Sequence, residues 1–282
     1  MILKRQIQSE KENLSSLKGL VEVYEEIAAS RMQRVRGAVL QSRQFLEGLL
    51  NVYRKAKAAY TKKGMAGTLR RKNGLTVAVL VTANSGLFGD IVEKVFKEFS
   101  KFVLEKKPQV VVLGKIGANL VSERLPGVLY NYFDISDEVV DLESFEMIMR
   151  YLLQFESIMV FYGQFRSILN QEPVMTSVTG DVMTLQQQIE AEKLAKTLFL
   201  FEPSVQDIAV LFEGEILASL FEQTLHESLL AKYASRLQSL DRSQDSINKQ
   251  FALIARQERN LARLSENRKQ LTTFAGKNLW AS

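Results

Sequence analysis

Two glycine-bearing loops and one histidine are the positions of this sequence whose residue types could do chemistry. Gly86-Leu87-Phe88-Gly89 follows the apolar run Leu75 to Val81 and precedes the amphipathic segment Ile91 to Leu104. That is the strand, loop and helix setting in which backbone amides approach a phosphate. The spacing completes neither G-x-G-x-x-G nor G-x-x-x-x-G-K-[ST], and Asp90 places a negative charge at the helix start, where an anion site wants none. A turn that packs helix on sheet is the favoured reading. Gly114-Lys115 lacks the upstream glycine and downstream hydroxyl of a P-loop and reads as a strand-to-helix turn. His226, the sole histidine, has no second histidine or cysteine at a ligand spacing and reads as a helix-surface residue. Cysteine is absent, which removes disulfides, thiolate nucleophiles and thiolate metal sites together. No catalytic residue, metal or cofactor is expected.

Charge is the other candidate for recognition. The 37 basic and 32 acidic residues leave a net +5, and the pI is near 9.2. The basic residues group at Arg31, Arg34, Arg36 and Arg43, at Lys62, Lys63, Arg70, Arg71 and Lys72, and at Arg256, Arg259, Arg263, Arg268 and Lys269. Stacking aromatics are not interleaved with them, and Glu258 and Glu266 punctuate the last group, so an acidic protein surface or solvation explains them better than nucleic acid. With 46% hydrophobic and 24% charged residues the chain is that of a folded protein. No stretch approaches the ~18–20 consecutive apolar residues of a membrane span. The start Met1-Ile2-Leu3-Lys4-Arg5 turns polar too soon for a signal peptide, so the protein is expected on the side of a membrane where ribosomes work.

The elements that must position these residues follow from periodicity. All four prolines (Pro108, Pro126, Pro173, Pro203) and ten of the fifteen glycines lie between residues 64 and 203, so the two ends are free to be helices. A four-three series runs Leu3, Ile7, Glu10, Leu14, Leu17, Val21, Tyr24, Ala28, Arg31, Val35, and Leu46, Leu49, Leu50, Tyr53 and Ala56 prolong a helical stripe up to Tyr60-Thr61-Lys62-Lys63-Gly64. After Pro203, Ser204 is a candidate N-cap with Asp207 beyond it. Tyr233, Leu237, Leu240, Ile247, Phe251, Ile254 and Leu261 then keep the rhythm, interrupted at Gln244 and Glu258, and Leu264, Leu271 and Phe274 follow in shifted phase. Helices of roughly 55 and 70 residues would reach about 80 and 105 Å, and an antiparallel pairing would bury the stripe of each.

Between them, strands at 75–81, 110–113, 128–133 and 158–162 alternate with helices at 91–104, 118–124 and 142–153, the pattern of a small Rossmann-like sheet. Segments 173–179 and 197–201 are further edge-strand candidates, and 186–196 is a connector of unassigned conformation. The fold class is α/β: a long antiparallel coiled coil of N- and C-terminal helices with an inserted Rossmann-like α/β domain. The expected boundaries are 1–60, 74–202 and 204–282.

Three segments carry a family resemblance. Ile27-Ala28-Ala29-Ser30-Arg31-Met32-Gln33-Arg34 is similar to V-A-A-S-K-M-R-R, Val81 to Gly89 resembles a loop containing S-x-D-R-G-L-C-G, and Phe201-Glu202-Pro203 resembles Y-E-P before a final helix. These are motifs of the γ subunit of F-type ATP synthases, and the match spreads over nearly the whole chain in the same order. Asn84-Ser85 replaces the family's Asp-Arg pair and Phe88 its cysteine, while Arg259-Asn260 and Glu266 loosely echo R-Q-x-x-I-T-x-E. The resemblance implies a non-catalytic rotor shaft seated in a head of α and β subunits, its α/β domain against ε and the membrane ring of c subunits. It implies head contacts at Arg31, Met32, Arg34, Arg36, Arg259, Asn260, Glu266 and Phe274, and a stalk-domain loop at Gly86, Leu87 and Gly89. The last residues, Phe274 to Trp280, would turn in an apolar collar. Membrane association would come through the complex alone, on the cytoplasmic side of the bacterial inner membrane. A different class of function, a free-standing coiled-coil scaffold whose Rossmann-like domain binds a ligand, stays open on the residues themselves.

Overall fold

In the computed structural model, which describes residues 2–61, 73–179 and 205–279, helices α1 (Ile2–Thr61) and α5 (Val205–Leu279) flank a five-stranded sheet in sequence. Confinement of proline to the middle leaves both helices uninterrupted over 60 and 75 residues. The expected strand at 197–201, the connector 186–196, the Pro203-Ser204 helix start and Gly64 lie outside the described residues. Among the described residues no helix is long and apolar enough to cross a membrane. The chain divides into two compact units, residues 1–27 with 239–282, and residues 28–238.

In the smaller unit the two helices carry unequal seams. On α5, Leu240, Ile247 and Ile254 are buried, with Gln244, Phe251, Glu258 and Leu261 half-buried between and beyond them, which is the expected four-three line. On α1, among the described residues of this unit, Ile7, Leu14 and Val21 are the buried ones, seven residues apart. The alternate members Leu17 and Tyr24 are 48% and 46% exposed, so the expected α1 seam is half realised. Between and beyond the buried residues the half-buried positions are Lys18 and Glu25, one residue on from Leu17 and Tyr24, so the second line of the seam is made by the stems of polar side chains and the apolar stripe lies to one side of it. Lys11 and Glu258 bridge the helices at 3.2 Å. Leu264 and Leu271, the shifted-phase residues, are exposed.

In the larger unit α1 and α5 run antiparallel, since Arg43 pairs with Glu227 at 2.8 Å and the Tyr53 hydroxyl donates to Glu213 at 3.1 Å. Leu46, Tyr53 and Ile216 form their common core. The sheet comprises β1 (Thr76–Val81), β2 (Gln109–Leu113), β3 (Tyr130–Phe133), β4 (Ser157–Phe165) and β5 (Gln171–Ser177) in the order β3-β2-β1-β4-β5. The first four pair parallel and β5 returns antiparallel from β4. β1 and β2 read as continuous apolar runs because both faces are covered. One face carries α2 (Ile91–Lys106) and α3 (Lys115–Arg124), with Phe99 edge-on to Phe161 at 5.5 Å. The other carries α4 (Leu142–Leu152), through Ile148, Met149 and Leu152, and α5, through Leu217, Phe221 and Leu225. α4 begins at Asp141, whose side chain accepts from the Ser144 amide at 2.8 Å.

Candidate functional site

In an open parallel sheet, ligands bind outside the carboxyl ends of the strands where the strand order reverses. Here that point lies between β1 and β4, and the chain leaving β1 is the segment Thr82 to Gly89. The crevice is filled by α5.

Lys232 enters it with a side chain 4% exposed and donates from Nζ to the Thr82 carbonyl at 2.8 Å and to Asp137 Oδ1 at 3.4 Å. Burial pushes this ammonium below the usual lysine range, and Asp137 opposes the shift by its charge and its hydrogen bond. Asp137, on the loop after β3, also accepts from the amides of Asn84 and Ser85 at 3.0 and 2.7 Å and from the Ser85 hydroxyl at 2.9 Å. Tyr233 donates to the Asp137 carbonyl at 2.6 Å, and burial raises its phenol above the usual range. Arg236 donates to the carbonyls of Leu87 at 3.2 Å and Gly86 at 2.7 Å, with its guanidinium 3.9 Å above the Phe88 ring. Phe88 thus supplies, where the resembling family has cysteine, a face for Arg236 and an edge for Tyr233.

The glycine loop is shaped for this packing rather than for an anion. Gly89 has φ +61°, and a Cβ there would lie 2.9 Å from the Ser235 carbonyl oxygen of α5. Leu87 also takes a left-handed conformation, φ +67°, with its side chain exposed. The start of α3 is spoken for as well: Asn84 Oδ1 accepts the Lys115 amide at 2.9 Å, while Asn84 Nδ2 donates to Asp134 at 2.6 Å and to the Ile135 carbonyl at 2.8 Å. An aspartate at 84 could not make those donations and would face Asp134 with a second carboxylate. At the other turn, Gly114 has φ +96° and sits on the Ala83 backbone, as a strand-to-helix turn requires.

Of the sequence-selected residues, Gly86, Leu87 and Gly89 meet in this joint. Arg31 on α1 reaches the same loop after β3, pairing with Glu138 at 2.6 Å. Met32 is half-buried, and Arg34 and Arg36 are exposed. Arg259, Asn260 and Glu266 are exposed in the smaller unit, and the Phe274 side chain lies outside the described residues. His226 departs from its expected surface position: it is half-buried beside a cavity of about 130 Å³ lined also by Arg31, Arg34 and Glu138. Its Nδ1 is buried without a hydrogen-bond partner, and burial lowers its pKa against the pull of Glu222.

Lys232, Arg236 and Asp137 escaped the sequence reading, and Tyr233 and Asn84 entered it only as a seam residue and a departure from the family loop, because a lysine and an arginine on a long helix ordinarily mark its wet face. A signal was present. Leu229-Leu230-Ala231 and Ala234-Ser235 surround Lys232 with apolar or small residues on every side, the pattern of a helix buried all round.

The family model described as ATP synthase matches residues 3–265. The ATP synthase gamma chain of Desulforamulus reducens is 24% identical over 257 residues, covering 88% of this chain and 85% of that protein. That of Pelotomaculum thermopropionicum is 20% identical over 248 residues, covering 85% and 84%. Among solved structures, the central stalk and c-ring of Tetrahymena thermophila mitochondrial ATP synthase contains a chain with a TM-score of 0.58 and 16% identity, covering 79% of this chain and 99% of that one. The rotor of Euglena gracilis mitochondrial ATP synthase gives 0.58 and 14%, covering 90% and 95%. At these identities the structural likeness speaks for the fold.

Proposed function

This chain belongs to the ATP synthase gamma-subunit family, and from that premise we propose that it is the non-catalytic central-stalk rotor of a rotary ATP synthase. Residues 1–60 and 204–282 form the shaft and 74–202 the body. The observation that carries the reading is the pair of helices of 60 and 75 residues whose longer member plugs the ligand crevice of its own α/β sheet. A Rossmann-like sheet so closed serves as a mounting rather than a binding site.

Rotation needs a thin, stiff object that differs around its axis, and two paired helices of unequal seam supply both properties. The shaft turns within a head of α and β subunits. The body seats against ε and the ring of c subunits, so ion flow through the ring turns the shaft and drives synthesis, or hydrolysis drives the ring. Exposed Arg34 and Arg36 and the cationic stretch from Arg256 face acidic surfaces of the head, an attraction with little directionality that does not fix the rotor at one angle. Membrane association comes through the complex, on the cytoplasmic side of a bacterial inner membrane, and nucleic acid is no partner.

Affinity purification of the native protein followed by mass spectrometry of the intact complex tests this reading. The expected result is head subunits at about three of each kind per copy of this chain. Recovery of a free homodimer, or calorimetric binding of nucleotide to the isolated chain, would transfer the case to the scaffold alternative.

A further inference from the structure

Apolar contacts hold α5 against the sheet, but they resist sliding poorly. The face made by Leu217, Phe221 and Leu225 gains from area, and dispersion changes little when such a face shifts by a fraction of a contact. The polar joint a few turns further along behaves differently. Lys232 and Asp137 are 4% and 10% exposed, so a twist of α5 that draws Lys232 from Asp137 and the Thr82 carbonyl leaves its ammonium buried with neither partner nor water, while Asp137 keeps the amides of Asn84 and Ser85. Arg236 holds two successive carbonyls from one planar fork and lies flat on Phe88, an arrangement with one orientation. Tyr233 fixes the Asp137 backbone. Arg31 brings α1 to the neighbouring Glu138, so both helices grip one loop.

We infer that Lys232, Arg236 and Asp137 are the torque-transmitting joint of this protein: positioning residues that stop α5 from twisting in the sheet, while the apolar core supplies the stability. The inference rests on the rotor reading. Twist applied at the body reaches the shaft through a geometry that either holds or breaks, and through only a compliant apolar face without it.

The test uses the complete complex in sealed vesicles, carrying the double variant Lys232→Met/Asp137→Asn, which removes both charges and leaves no lone buried one. Two quantities are read at saturating ATP: hydrolysis with the vesicles made leaky, and the ion gradient sustained when they are tight. The expected result is unchanged total hydrolysis in the leaky vesicles with a sustained gradient lowered about fivefold, the factor that ~1 kcal/mol makes between engaged and slipped joints. A purely structural role would lower both in proportion, through loss of assembled complex, and that result overturns the inference, as does a gradient equal to that of the unaltered complex. Should the double variant fail to assemble, Arg236→Lys decides, since it keeps the charge and gives up the two-carbonyl fork: the same split supports the joint, and an unchanged ratio overturns it. An unaltered chain that does not copurify with head subunits removes the rotor reading, and the joint with it.

Discussion

Replacing Gly89 with alanine perturbs the joint with a single methyl group, and its cost follows from two independent terms. The backbone at Gly89 has φ +61°, where a residue with a Cβ is disfavoured by roughly 1–2 kcal/mol. The new Cβ would also stand 2.9 Å from the Ser235 carbonyl oxygen and closer still to the Ser235 hydroxyl. The hydroxyl can rotate away; the carbonyl belongs to α5 and cannot move without the helix. Overpacking of that kind adds about 1–3 kcal/mol, so Gly89→Ala is expected to destabilise the chain by about 2–5 kcal/mol. Gly86→Ala, three residues away in the same loop, is the control. Its Cβ would meet nothing within 4 Å and its φ is not positive, so it is expected to change stability by less than about 0.5 kcal/mol. Urea unfolding of both variants, with hydrogen exchange of the β1 amides to locate the loss, measures the difference. Equal midpoints for the two would show that the loop does not pack on α5 and that the crevice is not filled by it.

Asn84→Asp is expected to cost about 1–3 kcal/mol by losing two donations and opposing Asp134, read from the urea midpoint. Lys232→Met alone should destabilise by about 3–5 kcal/mol, and adding Asp137→Asn should recover part of it, a double-mutant cycle with a measurable coupling. Phe99→Ala, fully buried between α2 and the sheet, should cost about 3–5 kcal/mol in the same assay. His226 is held below its ordinary pKa by burial, so the unfolded chain binds its proton first: stability is full above about pH 6.5 and falls as pH drops from there to the folded value. His226→Gln should flatten that part of the pH profile of the urea midpoint.

How much of this was legible in the sequence depends on whether a residue's role is local. The strand runs, the helices between them and the two long terminal helices all follow from periodicity and from where proline stands, and the α5 seam from Leu240 to Leu261 appears at its expected positions. Leu17 and Tyr24 did not follow, because the positions turned towards the partner helix are Lys18 and Glu25, one residue further on, and polar side chains there hide the seam from a pattern read on apolar residues. The Gly86 to Gly89 loop was readable as a packing turn, yet its partner was not: the contact of Gly89 with Ser235 and that of Thr82 with Lys232 each join residues about 150 apart, which no local pattern encodes. A separation of 107 residues likewise hid the pairing of Arg31 with Glu138.

The half-realised seam of α1 has a mechanical meaning. Within the smaller unit, Leu17, Leu20 and Tyr24 stand open along one line of α1, while another side shows the bridge of Lys11 to Glu258. On the rotor reading proposed above, such a helix pair is a cam: turning it would bring an apolar flank or a charged flank before a given neighbour, so that angular position is written in surface chemistry rather than in bulk.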